Sequence, residues 1–171
     1  MVVRSVVRRS RLKELGVGEA SFSAAGEPVP VGATVKIPAD KKIKATVTFE
    51  NTGSRAVSGT FTALVIYADT LSASSGDPRR DENTWMAEGE ATDAYIGTET
   101  LNAGASVTRD SLYPVAASTW AEGTKIDAGV VLKVDIGGTT YYLDSLKIAD
   151  AVEIIAPTRR VEITGVTFSE A

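Results

Sequence analysis

The apolar residues of the chain recur with a period of two. In residues 42–49, Ile43, Ala45, Val47 and Phe49 alternate with Lys42, Lys44, Thr46 and Thr48, as in a strand with one buried and one solvated face. Residues 60–68 are apolar on both faces and rich in β-branched and aromatic side chains, which predicts a central strand covered on both sides. Further strands are predicted over 33–37, 94–101, 106–113, 128–136, 139–148, 151–155 and 161–168. Gly137 and Gly138 form a two-residue turn signal between two of these, so 128–148 is predicted to be a hairpin.

Only residues 3–15 have the length and pattern for a helix of more than two turns, and Gly16 and Gly18 would end it. Many short strands punctuated by turns, with no helix between them, predict an all-β fold, an antiparallel β-sandwich. One stretch breaks the spacing. Residues 69–93 are polar and turn-rich apart from Trp85 and Met86, and a connection of that length without its own structure is uncommon. It is expected to be a long loop pinned by Trp85. The indole either tucks over an open end of the sandwich or stands exposed as an anchor for a partner.

Composition narrows the chemistry. The 171 residues are 43% hydrophobic, which fits one soluble domain with a continuous core. Cysteine and histidine are both absent, which excludes disulfides, cysteine nucleophiles, histidine triads and ordinary zinc or blue-copper sites. No apolar run is long enough to cross a bilayer as a helix, and the N-terminus lacks the apolar stretch and cleavage site of a secretory signal. Asp81, Glu82, Glu88, Glu90 and Asp93 supply carboxylates. No spacing fixes two of them at the separation glycoside hydrolysis needs, and the Asp-x-Asp-x-Asp-Gly pattern of a calcium loop is missing, so they are expected to be solvated. Gly16-Val17-Gly18 lacks the third glycine and following helix of a phosphate cradle. Neither enzymatic activity nor a cofactor or metal is expected.

Charge adds a second theme. Arg4, Arg8, Arg9, Arg11 and Lys13 place five positive side chains in the first thirteen residues, while the remaining 158 residues hold thirteen Lys or Arg against twenty-two Asp or Glu. Val2, Val3, Val6 and Val7 are interleaved with the arginines. Such a segment can dock by burying valines and pairing arginines with acids on a neighbouring subunit, including another copy of this acidic chain. A solvated tail is the plainer alternative. Nucleic acid is the weaker partner, because the arm has no aromatic residue and an acidic body stands behind it. The expected partner-binding residues are Arg4, Arg8, Arg9, Arg11, Lys13 and Trp85. The expected division is a basic arm over 1–18 and a single domain over 19–171.

The run Val47-Thr48-Phe49-Glu50-Asn51-Thr52-Gly53-Ser54, followed by Phe61 and Tyr67, resembles the CARDB type of immunoglobulin-like module. Ile96-Gly97, then Leu101-Asn102-Ala103-Gly104-Ala105-Ser106-Val107, are similar to that family's next strand, its glycine-bearing turn and the strand after it, and residues 130–135 fit the one that follows. Asn51 and Gly53 suit the left-handed or turn conformations that let a strand cross to the opposite sheet. The sequence departs from the family in its long 69–93 segment, its missing acidic, Asn-rich ending and its added basic arm.

The resemblance implies an immunoglobulin-like sandwich used in adhesion or assembly, and no shared catalytic residues. Comparable immunoglobulin-like domains decorate capsids or build tails in tailed viruses. The expected role is therefore a non-enzymatic virion component, such as a capsid decoration, tail or portal-proximal protein. It would be oligomeric in its assembly, bind other protein subunits and no membrane, and assemble in the host cytoplasm, which a cysteine-free chain suits. The alternative is an adhesive or carbohydrate-binding module of a larger secreted protein at a cell surface.

Overall fold

The computed structural model describes residues 15–24, 34–89 and 91–157. In chain order these form β1 (Leu15–Ala24), β2 (Val35–Pro38), β3 (Lys42–Asn51), β4 (Val57–Ala68), α1 (Pro78–Glu88), β5 (Ala91–Leu101), β6 (Ser106–Asp110), β7 (Val115–Ala116), a 3-10 turn at Ala117–Thr119, β8 (Lys125–Ile136) and β9 (Thr139–Ile155). The chain is thus predominantly β. One sheet has the order β1-β3-β6, with β7 also paired to β3, and the other has the order β2-β9-β8-β4-β5.

The period-two pattern determines what faces inward. Ile43, Ala45, Val47 and Phe49 of β3 are buried, as are Phe61, Ala63, Val65 and Tyr67 of β4 and Leu132 and Val134 of β8, and all belong to one core cluster drawn from both sheets. Phe49 stacks on Phe61 with ring centroids 5.9 Å apart. The intervening Thr46 and Thr48 turn away and bond Asp110 and Thr108 of β6 at their surface.

The chain changes sheet between β3 and β4. Its corner is held by Asn51, whose side-chain amide donates to the carbonyls of Arg55 (2.8 Å) and Leu101 (3.1 Å) while its oxygen accepts from Gly53 N–H. Of the left-handed or turn conformations expected at Asn51 and Gly53, the chain takes the turn: neither residue has positive φ, and the Asn51 side chain bridges the corner. At the β8–β9 hairpin Gly137 and Gly138 do have φ of 61° and 80°, the backbone that a tight two-residue hairpin turn requires.

Several strand expectations change. β2 pairs with β9 in parallel, so the second sheet is mixed and not wholly antiparallel. The predicted strands 139–148 and 151–155 are one strand, because Asp150 takes a left-handed φ of 48° and the pairing with β8 shifts register without ending. The strand predicted over 106–113 stops at Asp110. β1 begins at Leu15, so residues 15–18, assigned to the arm, belong to the folded body. The predicted helix 3–15 lies outside the described residues but for Leu15, and the predicted strand 161–168 lies wholly outside them.

Residues 69–93 are not a structureless loop, since they contain α1. Asp77 caps it, accepting from the N–H groups of Arg79 (3.1 Å) and Arg80 (3.3 Å), Pro78 occupies the first turn, and Gly89 closes the C-terminus.

Candidate functional site

α1 lies on the outer face of the five-stranded sheet, where Trp85 builds a second small core. The indole packs with Ile66 and Ala68 of β4, Leu71, and Val131 of β8, flanked by Leu64 and Tyr142, and its Nε1–H donates to the carbonyl of Ser72 at 2.9 Å. This is why β4 is covered on both faces. Trp85 is fully buried, so it neither caps an open end of the fold nor stands exposed as an anchor: a partner could reach it only by displacing α1.

The carboxylates of residues 69–93 diverge instead of converging. Asp81 is buried and accepts from Ser74 Oγ (2.6 Å), Ser75 Oγ (2.6 Å), Ser75 N–H (2.7 Å) and, across the helix–sheet contact, Ser145 Oγ of β9 (2.6 Å). Burial pushes its pKa up, but the hydrogen bonds from Ser145, Ser74 and Ser75 outweigh burial and bring it down to about 2. Glu82 pairs with Lys133 at 3.0 Å. Glu88 binds the backbone and hydroxyl of Ser72, which lower its pKa. Asp93 faces inward from β5, and its Oδ1 accepts from the N–H groups of Ala94 (2.8 Å) and Tyr113 (3.1 Å). Burial raises its pKa against those bonds and the nearby Ser111 hydroxyl. The expectation that these acids are solvated therefore fails for Asp81 and Asp93, while Glu90 lies outside the described residues. Among the described residues no three acids come together as a metal site.

Other charged groups act as fasteners that the sequence pattern did not single out. Asp127, at the start of β8, accepts from Leu71 N–H (3.0 Å) and Asp150 N–H (3.0 Å) and pairs with Lys147 Nζ (2.9 Å); Lys147 also donates to the Leu71 carbonyl. Asp144, beside the β9 register shift, accepts from Val17 N–H at 2.9 Å and so ties β1 to the opposite sheet. Glu99 of β5 takes both Nε (2.6 Å) and Nη2 (3.0 Å) of Arg109 on β6. Arg109 and then Tyr95 lower its pKa. Asp127 and Asp144 sit near the end or at the bend of a strand and satisfy backbone N–H groups there, whereas Glu99 joins side chains of the two sheets.

Arg4, Arg8, Arg9, Arg11 and Lys13 lie outside the described residues. A cavity of about 250 Å³ opens between Ala68, Asp69, Thr70, Glu88 and Trp120, with two acids and no base in its lining. Among the described residues the large exposed apolar side chains are Met86, Ile96, Leu112 and Tyr113. Among the described residues no helix is long and apolar enough to cross a membrane.

No family model matches the sequence, and no curated protein matches it. Several solved structures bear a distant likeness, two of which illustrate it. The C-terminal domain of Wzt aligns over 92% of this chain and 84% of its own, with 8% identity and a TM-score of 0.46. A beta-glucuronidase of Bacteroides Uniformis aligns over 78% of this chain and 14% of its own, with 11% identity and a TM-score of 0.42. Neither is a CARDB module or a viral immunoglobulin-like protein, and likenesses this distant assign no activity.

Proposed function

We propose that the protein is a non-enzymatic structural component of a larger assembly, built on an immunoglobulin-like β-sandwich and docking through its basic N-terminal arm. The observation that carries this reading is how the body uses its acids. Asp81, Asp127, Asp144 and Glu99 bind backbone N–H groups, hydroxyls or a single cation to fasten one element to another. A body braced in this way is a rigid support. The arm, by contrast, concentrates five positive charges ahead of β1, suited to steering toward an acidic neighbour.

The preferred setting is a virion, as a capsid decoration, tail or portal-proximal protein. The alternative is an adhesive or carbohydrate-binding module at a cell surface. Immunogold labelling of the producing cells tests the choice: label on particles is expected, and label confined to the cell envelope would move the protein to the surface reading. Within the virion reading, full-length protein with Arg4, Arg8, Arg9 and Arg11 replaced by serine should fold normally yet fail to join particles.

A further inference from the structure

We infer that the outer edge of β5 is a self-association surface, where two copies of the chain pair their β5 strands about a two-fold axis and join their five-stranded sheets into one. This goes beyond docking through the arm and uses a different part of the molecule.

The geometry begins at Ala94. Its carbonyl accepts from Leu112 N–H at 2.7 Å, so the backbone groups of Ala94 point away from β4. In a strand the alternate residues share that direction, which turns the N–H and C=O groups of Ile96, Thr98 and Thr100 to the outside as well. β5 is the last strand of its sheet, and among the described residues no strand pairs with this run. Natural edges are commonly protected by lysine, proline or an inward-pointing charge that disrupts pairing. β5 has no lysine or proline, and its two acids are already engaged, Asp93 with Ala94 and Tyr113 and Glu99 with Arg109. Among the described residues, three of the four large exposed apolar side chains, Ile96 (50% exposed), Leu112 (51%) and Tyr113 (66%), gather at this edge. Soluble proteins seldom leave such a combination uncovered.

Charge selects the occupant. The chain carries a net charge of −4, so two copies repel over most approaches. The outward-facing residues of β4 and β5, from 58 to 66 and from 92 to 100, include no charged side chain. They present cross-strand hydroxyl pairs instead, Ser58 with Thr100 (2.8 Å) and Thr60 with Thr98 (3.3 Å). On this side two acidic bodies can meet without setting like charges together. A two-fold axis at Thr98 is also self-complementary. It sets Thr98 opposite Thr98, Ile96 opposite Thr100 and Glu99 opposite Gly97, so that no acid faces an acid, and the run stops short of the position Leu112 fills. Three residues per strand would exchange about six main-chain hydrogen bonds.

The test uses the full chain. Sedimentation velocity over a rising concentration series should show the mass doubling by about 100 µM, the range of a small interface, and the dimer should persist at high salt and in the variant with Arg4, Arg8, Arg9 and Arg11 replaced by serine. Ile96→Lys, at an exposed site, should return the protein to monomer with its melting curve unchanged. Since the chain has no cysteine, Thr98→Cys gives a single reporter, and a hydrogen-bonded antiparallel pair brings the two Cα atoms to about 5.5 Å, within disulfide range. Mild oxidation should then yield covalent dimer at least tenfold faster than for Thr119→Cys on the exposed 3-10 turn. A protein that stays monomeric, a dimer that survives Ile96→Lys or depends on the arm's arginines, or equal cross-linking of the two cysteine variants would each overturn the assignment.

Discussion

Trp85 lies directly over Gly129 of β8: a Cβ added to that glycine would fall 2.5 Å from Cε3 of the indole. The absence of a side chain at Gly129 lets the helix settle onto the sheet, and the indole fills the space between Ile66, Leu71 and Val131. Trp85→Ala should therefore cost about 3 to 5 kcal/mol, as loss of a buried aromatic does. Gly129→Ala should cost about 1 to 3 kcal/mol by overpacking the same contact. Denaturant melts of the two variants and of the double variant check this. Removing the indole should relieve the clash, so a double variant as unstable as the sum of the single ones would count against the contact.

Asp81 makes the helix attachment sensitive to acid. Its pKa in the folded protein is depressed to about 2 by the three serines and the Ser75 N–H, despite burial. A carboxylate with a lowered folded pKa contributes stability above its unfolded value, and that contribution is lost as pH falls toward the folded value. About 2 kcal/mol should therefore disappear between roughly pH 4 and pH 2. Asp81→Asn, which cannot be ionised, should lower stability at pH 7 and flatten that part of the pH–stability curve. An unchanged slope would mean that the serine cage does not favour the carboxylate.

The strands were legible where one face is buried and the other wet. β3 alternates without exception, and the Gly137-Gly138 turn fixes the β8–β9 hairpin in the predicted place. What pattern missed was local chemistry inside polar stretches. α1 has few apolar residues to reveal it, yet its start is written in Asp77 and Pro78, a cap followed by a proline where no N–H is needed, and its end in Gly89. β9 reads in the sequence as two strands because the consecutive exposed positions Ala149 and Asp150 interrupt the alternation, whereas the backbone bulges there and continues. The parallel β2–β9 pair is set by the chain path between distant elements, which no local period records. Trp85 shows the limit for site residues: an aromatic in a polar run reads equally well as an anchor or as core, and only the sheet face beneath it decides.

The core phase can be checked within one strand. Phe49 is fully buried between Phe61 and Tyr95, with centroid separations of 5.9 and 5.6 Å, so Phe49→Ala should cost about 3 to 5 kcal/mol. Its neighbour Thr48 reaches only the exposed Thr108 hydroxyl, at 2.8 Å, so Thr48→Ala should change stability by less than about 0.5 kcal/mol. Urea unfolding of both variants gives the comparison, and similar losses at the two positions would contradict the register of β3.

Asp93 has the opposite acid response to Asp81. Its Oδ1 is satisfied by Ala94 and Tyr113, but Oδ2 is buried with no hydrogen-bond partner, and the Tyr67 hydroxyl is likewise unpaired. Burial raises the Asp93 pKa, and burial together with the Asp93 charge raises that of Tyr67 well above its usual value. A carboxyl whose folded pKa lies above its unfolded value is bound more weakly as the anion, so this site loses stability as pH rises from the unfolded value through the folded one. Asp93→Asn keeps an oxygen for the two N–H groups and removes the buried charge, and its amide can donate toward Ser111 or Tyr67. The variant should be more stable than the parent at pH 7 by about 1 kcal/mol. The gain should shrink once acid protonates Asp93 in the parent. Thermal melts of both proteins between pH 3 and pH 8 measure it, and a variant less stable at neutral pH, or a difference that does not change with pH, would show that the buried oxygen is satisfied as the anion.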